Sequence, residues 1–350
     1  MYSIVLTGGG TAGHIIPSIT LLPKLKQKFD KIYYIGSSDG AEKSICQQHG
    51  VTFYSVTCVK LRRSLTPKNL LIPIKLIKGV NEAKKLLKEL KPSVVFSKGG
   101  YVAMPVVIAS KALKIPVVSH ESDLTPGLAN KLLQNKSVVT LTAFKETAKL
   151  FNNGVHAGLP IRKNLDGYDK IKALKEFNFS GNKPVLLVFG GSLGAQKINS
   201  VLTDATDELL KDFDVLHLTG KKNTGFIKKT GYTPLPYLDD MSKAYSIASV
   251  IVSRCGANSA FEILSLNKPC VFIPLSKKAS RGDQIKNAEY FSKQGYADTL
   301  QEELLTPETL INAIKTAYKK GRRSNTAPVV DATEKIVDIL YRVANNSYYI

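Results

Sequence analysis

Two glycine-rich turns in this chain are of the kind that hold oxyanions. Thr7-Gly8-Gly9-Gly10-Thr11-Ala12-Gly13-His14 follows a short apolar run and precedes a helix pattern, and Gly190-Gly191-Ser192-Leu193-Gly194-Ala195 repeats that context further along. Glycine lets the backbone turn sharply and come close to a ligand. A helix start offers free N–H groups at its positive dipole end. Phosphate is the natural guest, and Ser192 adds a hydroxyl donor suited to a diphosphate oxygen. Either turn alone also fits a tight strand-to-helix connection with no ligand. Two of them, each between a strand and a helix, are far more specific. The first is not a Walker A loop, because no Gly-Lys-Ser/Thr follows, and neither has the full dinucleotide fingerprint.

Other chemistry-bearing residues cluster after apolar runs. His14 closes the first turn, where a neutral imidazole can take a proton from a hydroxyl nucleophile; it equally fits a residue that orders the loop. Glu262 lies in the helix pattern opened by Ser253-Arg254-Cys255-Gly256-Ala257-Asn258-Ser259-Ala260-Phe261. A carboxylate there can accept two sugar hydroxyls, or merely face solvent. Ser97-Lys98-Gly99-Gly100-Tyr101 and Ser119-His120-Glu121-Ser122-Asp123 both end strand-like runs, where loops tend to host function. Glu121 and Asp123 suit acid/base work and equally suit caps before Thr125-Pro126-Gly127. Ser280-Arg281-Gly282-Asp283-Gln284 is a weaker motif that can present Asp283 and Gln284 to sugar hydroxyls.

Such residues need a scaffold, and the apolar runs supply one. Ile4–Leu6, Lys31–Ile35, Val94–Phe96, Val117–Ser119 and Val138–Leu141 read as buried strands, with helix-like stretches at Ile16–Phe29, Ile74–Leu90 and Pro105–Leu113. The rhythm restarts with strands at Pro184–Phe189, Asp214–Thr219, Val250–Ser253 and Cys270–Ile273. Alternating strands and helices argue an α/β fold with helices on both faces of parallel sheets. The chain therefore reads as two Rossmann-like, doubly wound lobes in tandem with a cleft between them. The expected division is residues 1–160 and 161–324, with a C-terminal helical segment, 325–350, packing back on the first lobe. Its helix pattern is Thr333–Ala344.

At 350 residues, two domains are the natural count. Hydrophobic residues at 43% and charged residues at 22% exclude a mostly disordered or multi-span membrane chain. Lysine and arginine number 49 against 28 acidic residues, a formal charge of +21 that favours anionic partners. No recognisable RNA- or DNA-binding motif accompanies it, so no nucleic-acid partner is expected. The 4 cysteines have neither zinc nor disulfide spacing, which fits a reducing cytoplasm. The N-terminus lacks the basic start and long apolar stretch of a signal peptide. Leu70 to Val80 is the most apolar stretch and is too short to span a bilayer. At helical spacing, Leu71, Ile74 and Ile77 with Lys75 and Lys78 make an apolar face with a basic border, suited to an anionic membrane surface; an ordinary core-facing helix fits as well.

In order, these motifs resemble the MurG family, UDP-N-acetylglucosamine:N-acetylmuramoyl-(pentapeptide) pyrophosphoryl-undecaprenol N-acetylglucosaminyltransferases. The strongest stretches are Gly8–Pro17, Lys98–Pro105, His120–Lys131, Gly190–Asn199, Asp239–Tyr245 and Arg254–Ile263. The resemblance implies a GT-B fold and inverting transfer of GlcNAc from UDP-GlcNAc to the muramoyl C4 hydroxyl of lipid I, at the cytoplasmic face of the cell membrane. It implies that Gly191, Ser192, Gly194 and Arg162 meet the donor diphosphate and that Leu238 meets the uracil. Ala257, Asn258, Ser259, Ala260, Phe261 and Glu262 would line the nucleotide, with Glu262 on the ribose and Asp283 and Gln284 on the sugar. Thr11, Ala12 and Gly13 count with the donor set and also lie where the acceptor's diphosphate is expected. Gly10, Tyr101, His120, Glu121 and Asp123 would serve the acceptor, and His14 is the expected base. Departures from the family pattern are Cys255 where serine is frequent, Asp283 where some members have glutamine, and Asp123 where some have asparagine. No Asp-x-Asp stands between strands, so no metal and no other cofactor is expected. A glycosyltransferase with another lipid acceptor, such as diacylglycerol, shares the architecture; a dinucleotide oxidoreductase and a basic nucleic-acid binder are more distant readings.

Overall fold

Period-2 burial builds the first sheet. Along β1 (Ser3–Thr7), Ile4 and Leu6 enter one buried cluster and Val5 the other. A strand covered on both faces has to be apolar at every position, and every β1 residue is buried. The computed structural model describes residues 1–10, 12–59, 72–191, 193–277, 281–321 and 329–348. These fall into two units, Met1–Ile161 with Asp331–Ile350, and Arg162–Val330.

After β1, the first unit continues through α1 (Ala12–Thr20), α2 (Leu22–Leu25), β2 (Lys31–Ser37), α3 (Glu42–Gln48), β3 (Thr52–Val56) and α4 (Ile72–Leu90). It goes on with β4 (Val94–Ser97), α5 (Ala103–Ala112), β5 (Val117–Glu121), α6 (Leu128–Leu133), β6 (Val139–Thr142), α7 (Lys145–Ala148) and β7 (Gly154–His156). Its strands are parallel in the order β3-β2-β1-β4-β5-β6-β7. The second unit runs through α8 (Lys170–Glu176), β8 (Val185–Phe189), α9 (Gln196–Leu209), β9 (Asp214–Leu218), β10 (Tyr232–Leu235), α10 (Met241–Ile247) and β11 (Ala248–Ser253). Then come α11 (Ala257–Ser265), β12 (Cys270–Phe272), α12 (Asp283–Lys293), β13 (Asp298–Thr299) and α13 (Pro307–Lys320). This sheet is also parallel, in the order β10-β9-β8-β11-β12-β13. The last helix, α14 (Thr333–Ala344), belongs to the first unit.

The two clusters of the first unit lie on opposite faces of its sheet. Ile336, Val337, Leu340 and Val343 of α14 join Ile4 and Leu6, while Ala83 and Leu87 of α4 and Val106 and Val107 of α5 join Val5. Burying a side chain of that size is worth roughly 2 kcal/mol, so four of them hold α14 firmly on this unit. In the second unit, Ile198, Leu202 and Leu209 of α9 and Leu310 and Ile314 of α13 cover Leu186, Val188, Val250 and Val252.

Both sheets reverse strand order beside their first strand, between β1 and β4 and between β8 and β11. Such switch points leave a crevice at the strands' carboxyl ends, where α/β sheets place ligands. Both glycine turns start there.

Two expectations change. The helix at Ile16–Phe29 is two helices, α1 and the four-residue α2, parted at Leu21. Pro23 is the reason: with no N–H and a ring that crowds the preceding turn, it is accommodated at a helix start and ends a helix that precedes it. The strands absent from the sequence reading are β3, β7, β10 and β13, the outermost two of each sheet. They are short and partly exposed, and so lack the continuous apolar run that marks the inner strands.

Candidate functional site

In the second unit the turn after β8 is built for close approach. Gly191 and Gly194 have φ of 90° and 77°, where a side chain is strained. A Cβ on Gly194 would lie 1.9 Å from the Thr219 carbonyl oxygen, whereas one on Gly191 would meet none of the described residues within 4 Å. The turn is thus held from behind at Gly194 and open at Gly191. Asn199 keeps its backing in place: its amide donates to the Thr219 carbonyl at 2.8 Å, and its Oδ1 meets His217 Nε2 at 3.0 Å. The other His217 nitrogen, Nδ1, meets the Tyr232 hydroxyl at 2.9 Å, and burial lowers the imidazole pKa to about 4.

Register sets the next turn beside it, because Phe189 pairs with Ser253. Gly256 is the N-cap of α11 and, as a glycine, brings no side chain to the helix start. Within α11, Glu262 is bound by Arg162 through two parallel hydrogen bonds, Nε to Oε1 at 2.7 Å and a terminal nitrogen to Oε2 at 2.8 Å. The buried Tyr245 hydroxyl donates to Oε2 at 3.4 Å. Burial alone would lower the Arg162 pKa, but its hydrogen bonds and charge pairing with Glu262 raise it above the ordinary value. Burial, reinforced by the Glu262 charge, holds the Tyr245 phenol well above its ordinary pKa. Arg162 and Glu262, expected on diphosphate and ribose, therefore hold each other here.

Around this pair, Gln284 accepts the Leu275 N–H at 3.0 Å, and its amide nitrogen faces Gly256. Asp283 is paired with Arg281. Arg254 bonds the Ile273 and Pro274 carbonyls and pairs with Glu302, which in turn accepts the Ser276 N–H at 3.0 Å. Leu238 is half-buried beside exposed Tyr237, whose ring lies under the Lys221 ammonium at 4.0 Å. Asn258 and Ser259 are half-exposed in the first turn of α11. Ala260 and Phe261 are buried, with Phe261 edge-on to Phe291 at 5.7 Å, because the helical period turns their side chains into the core. Ala257 is likewise buried, so it offers its backbone.

In the first unit, Thr7 pairs with Ser97, so the turns after β1 and β4 lie together. A Cβ on Gly100 would come 2.6 Å from the Gly9 carbonyl oxygen, and one on Gly10 would come 2.5 Å from the Tyr101 ring. Tyr101 is partly exposed, and its pKa is raised by burial and then by the charge of Glu42. His14 is half-buried in the first turn of α1. His120 and Glu121 are both buried. His120 is fully buried, with Nε2 on the Gly158 carbonyl at 2.8 Å and Nδ1 at 2.7 Å from Lys98 Nζ. Both ring nitrogens are thus engaged by the protein, so this imidazole has none left to meet an acceptor. Burial, then the Lys98 charge, pushes its pKa well below the ordinary value. Glu121 accepts the N–H groups of Ser122, Asp123 and Gly127 and the Asn130 amide, at 2.8 to 3.1 Å. It thus ties the loop after β5 to the start of α6. Asp123 stays half-exposed.

Thr11, Ser192 and Leu71 lie outside the described residues. Along α4, Ile74 and Ile77 are 64% and 61% exposed, Lys75 and Lys78 are exposed, and Gly79, Ala83 and Leu87 face inward. Among the described residues no helix is long and apolar enough to cross a membrane.

Comparison with known proteins bears on the same positions. Residues 4–139 match the glycosyltransferase family 28 N-terminal domain and residues 185–343 its C-terminal domain. An N-acetylglucosamine transferase of Lachnoclostridium phytofermentans, named for UDP-N-acetylglucosamine and N-acetylmuramyl-(pentapeptide) pyrophosphoryl-undecaprenol, is 44% identical, over 98% of this chain and 99% of that protein. The chain belongs to family 28, among the MurG enzymes. The Clostridium botulinum protein of the same name is 47% identical over 89% of each chain. The crystal structure of Acinetobacter baumannii MurG superimposes with a TM-score of 0.73 at 26% identity, covering 98% of this chain and all of that one. The fold is therefore GT-B and the protein is a glycosyltransferase, which sets aside the oxidoreductase and nucleic-acid readings.

Four side chains were given no role of their own by the sequence reading: Glu42, Lys98, Tyr245 and Glu302. Lys98 has the sharpest consequence. Its amine is buried and donates to Ser122 Oγ at 2.6 Å besides meeting His120. Burial lowers its pKa to about 7, against the opposing pull of Glu121 and Asp123. Above that value the folded chain has released a proton that the unfolded chain still holds up to the ordinary lysine value of 10.5, so stability rises with pH across this window. Lys98→Met removes the dependence. In urea denaturation, the wild type should gain about 1 kcal/mol on the variant from roughly pH 7.5 to 8.5. A constant difference would mean that folding leaves the amine's pKa where it was.

Proposed function

We propose that this protein transfers GlcNAc from UDP-GlcNAc to the C4 hydroxyl of MurNAc in undecaprenyl-pyrophosphoryl-MurNAc-pentapeptide, making the lipid II used in peptidoglycan synthesis. The observation that carries this reading is the second unit's grouping of an open glycine turn, a glycine-capped helix start and the Arg162–Glu262 pair at one switch point. The relatives named above supply the substrates.

In this reading the second unit holds the donor. Backbone N–H groups after Gly191 and Arg162 take the diphosphate, Glu262 takes the ribose, Leu238 borders the uracil, and Gln284 reaches the sugar. The first unit holds the acceptor beside Gly10, Tyr101 and Asp123, while His120 and Glu121 shape that site from within. In the reaction the acceptor O4–H bond breaks, O4 bonds to the anomeric carbon from the face opposite UDP, and the bond from that carbon to the diphosphate oxygen breaks. His14 receives the proton. Negative charge grows on the departing UDP, and fixed N–H groups with an arginine stabilise it without reorganising. Turnover with UDP-GlcNAc and a soluble lipid I analogue tests the reading, run with and without EDTA: β-1,4-linked product and released UDP are expected in both, and absence of transfer defeats it.

The acceptor's polyprenyl chain requires a membrane surface, and the exposed Ile74 and Ile77 with their flanking lysines suit an anionic one. Ile74→Ser with Ile77→Ser should weaken binding to phosphatidylglycerol vesicles about tenfold, since each lost aliphatic insertion is worth roughly 1 kcal/mol or less. Sedimentation with vesicles reads this, and undiminished binding would exclude that face from membrane contact.

A further inference from the structure

The two glycine turns are not electrically alike, and the difference lies in Glu42. It stands in the first turn of α3 and its residue is wholly buried. Oε1 accepts the Gly10 N–H at 2.9 Å, two residues before α1 begins. The carboxylate fills a hollow that only glycines leave: a Cβ on Gly9 would fall 1.9 Å from Oε1, one on Gly40 within 1.5 Å of Oε2, and one on Gly36 within 3.2 Å of the Glu42 Cβ. Oε2 has no hydrogen-bond partner among the described residues, and Glu42 forms no ion pair among them. Besides the positive end of its own helix, α3, the compensation for its charge is the Gly10 N–H, a group that a bound phosphate would use. In the second unit, by contrast, the side chain bonded to the Gly190–Gly194 turn, among the described residues, is the neutral amide of Asn223 on the Leu193 carbonyl.

We propose that Glu42 is a specificity-determining residue that closes the first glycine turn to diphosphate, so that the turn takes a neutral, hydroxyl- or amide-bearing part of the acceptor. Resting on the donor and acceptor reading above, this moves the acceptor's diphosphate away from Thr11-Ala12-Gly13 and leaves the second unit's turn as the diphosphate cradle. A carboxylate beneath the turn repels an incoming anion and uses the amide that would have met it. A sugar hydroxyl or acetamido group meets no such repulsion.

The test uses the full-length protein, Glu42→Gln, and inorganic pyrophosphate as probe. The amide keeps an oxygen for the Gly10 N–H and removes the charge. By titration calorimetry, UDP should abolish pyrophosphate binding to the wild type. In Glu42→Gln a UDP-insensitive site should appear, about tenfold or more tighter than any such binding in the wild type. Equal UDP-insensitive binding by the two proteins overturns the proposal. If UDP itself fails to bind, the donor reading falls, while the comparison of the two proteins still reads Glu42. Should Glu42→Gln not fold, inhibition kinetics on the unaltered enzyme decide: pyrophosphate competing with UDP-GlcNAc alone supports the proposal, and pyrophosphate competing with the lipid I analogue overturns it.

Discussion

Glu262→Gln should raise the KM for UDP-GlcNAc about 100-fold while changing kcat little, the loss expected when roughly 2.7 kcal/mol of charge-assisted bonding is removed. The wild-type carboxylate presents two oxygens to Arg162 and faces the Tyr245 hydroxyl. A primary amide has one acceptor oxygen, and its NH2 group would turn donors toward a guanidinium that also only donates. Arg162 would then lose its second hold, and a ribose would meet one acceptor in place of two. Because Arg162 keeps 36% of its side chain exposed, solvent screens much of the stability loss, which should be about 1 kcal/mol. The decisive readout is sugar discrimination. The wild type should prefer UDP over 2′-deoxy-UDP as an inhibitor, and Glu262→Gln should lose that preference. An unchanged KM with the preference intact would remove this carboxylate from the ribose.

That pairing also marks how far the sequence can be read. Glycines between a strand and a helix are a local pattern, and both such turns stand at the switch points of their sheets. Inner strands such as Val185–Phe189 announce themselves because burial on both faces demands apolar residues throughout. Edge strands such as β3, Thr-Phe-Tyr-Ser-Val, carry no such demand. Side-chain partners across long separations leave no local trace. Arg162 and Glu262 are 100 residues apart, and the sequence gives each a ligand but not the other. Glu42 stands in a helix's first turn, an ordinary place for an acid, and nothing beside it in the chain tells of its burial. A signal was nevertheless present: Gly36 and Gly40 flank the approach to Glu42, and a glycine pair beside an acid can mean that the acid lies against the backbone. His120 shows the same limit. Its place at a sheet's carboxyl edge suggests access, but Lys98 and Gly158, brought close only by folding, enclose it.

His14→Ala should lower kcat about 1,000-fold and leave the KM for UDP-GlcNAc within about twofold, a barrier increase of roughly 4 kcal/mol. The split follows from where the residues sit. His14 belongs to the first unit, whereas Arg162, Glu262 and Gln284, which take the donor in the proposed reading, belong to the second. The fold should tolerate the change. Alanine is the best helix former, and α1 remains anchored by Ile15 and Ile19, both buried. Loss of a base differs from loss of a loop-ordering residue in the pH profile. If His14 accepts the C4 proton, the acid limb of kcat seen in the wild type disappears in the variant, because protonation of that group no longer limits turnover. If it merely orders the turn, the limb persists at reduced height and the acceptor KM rises instead. His14→Asn separates the two further: its amide can keep a loop hydrogen bond but cannot take up a proton at these pH values, so it should be as slow as alanine. Recovery of turnover by asparagine would assign His14 to the architecture of the turn and leave Asp123, half-exposed beyond β5, as the group to test next for the proton.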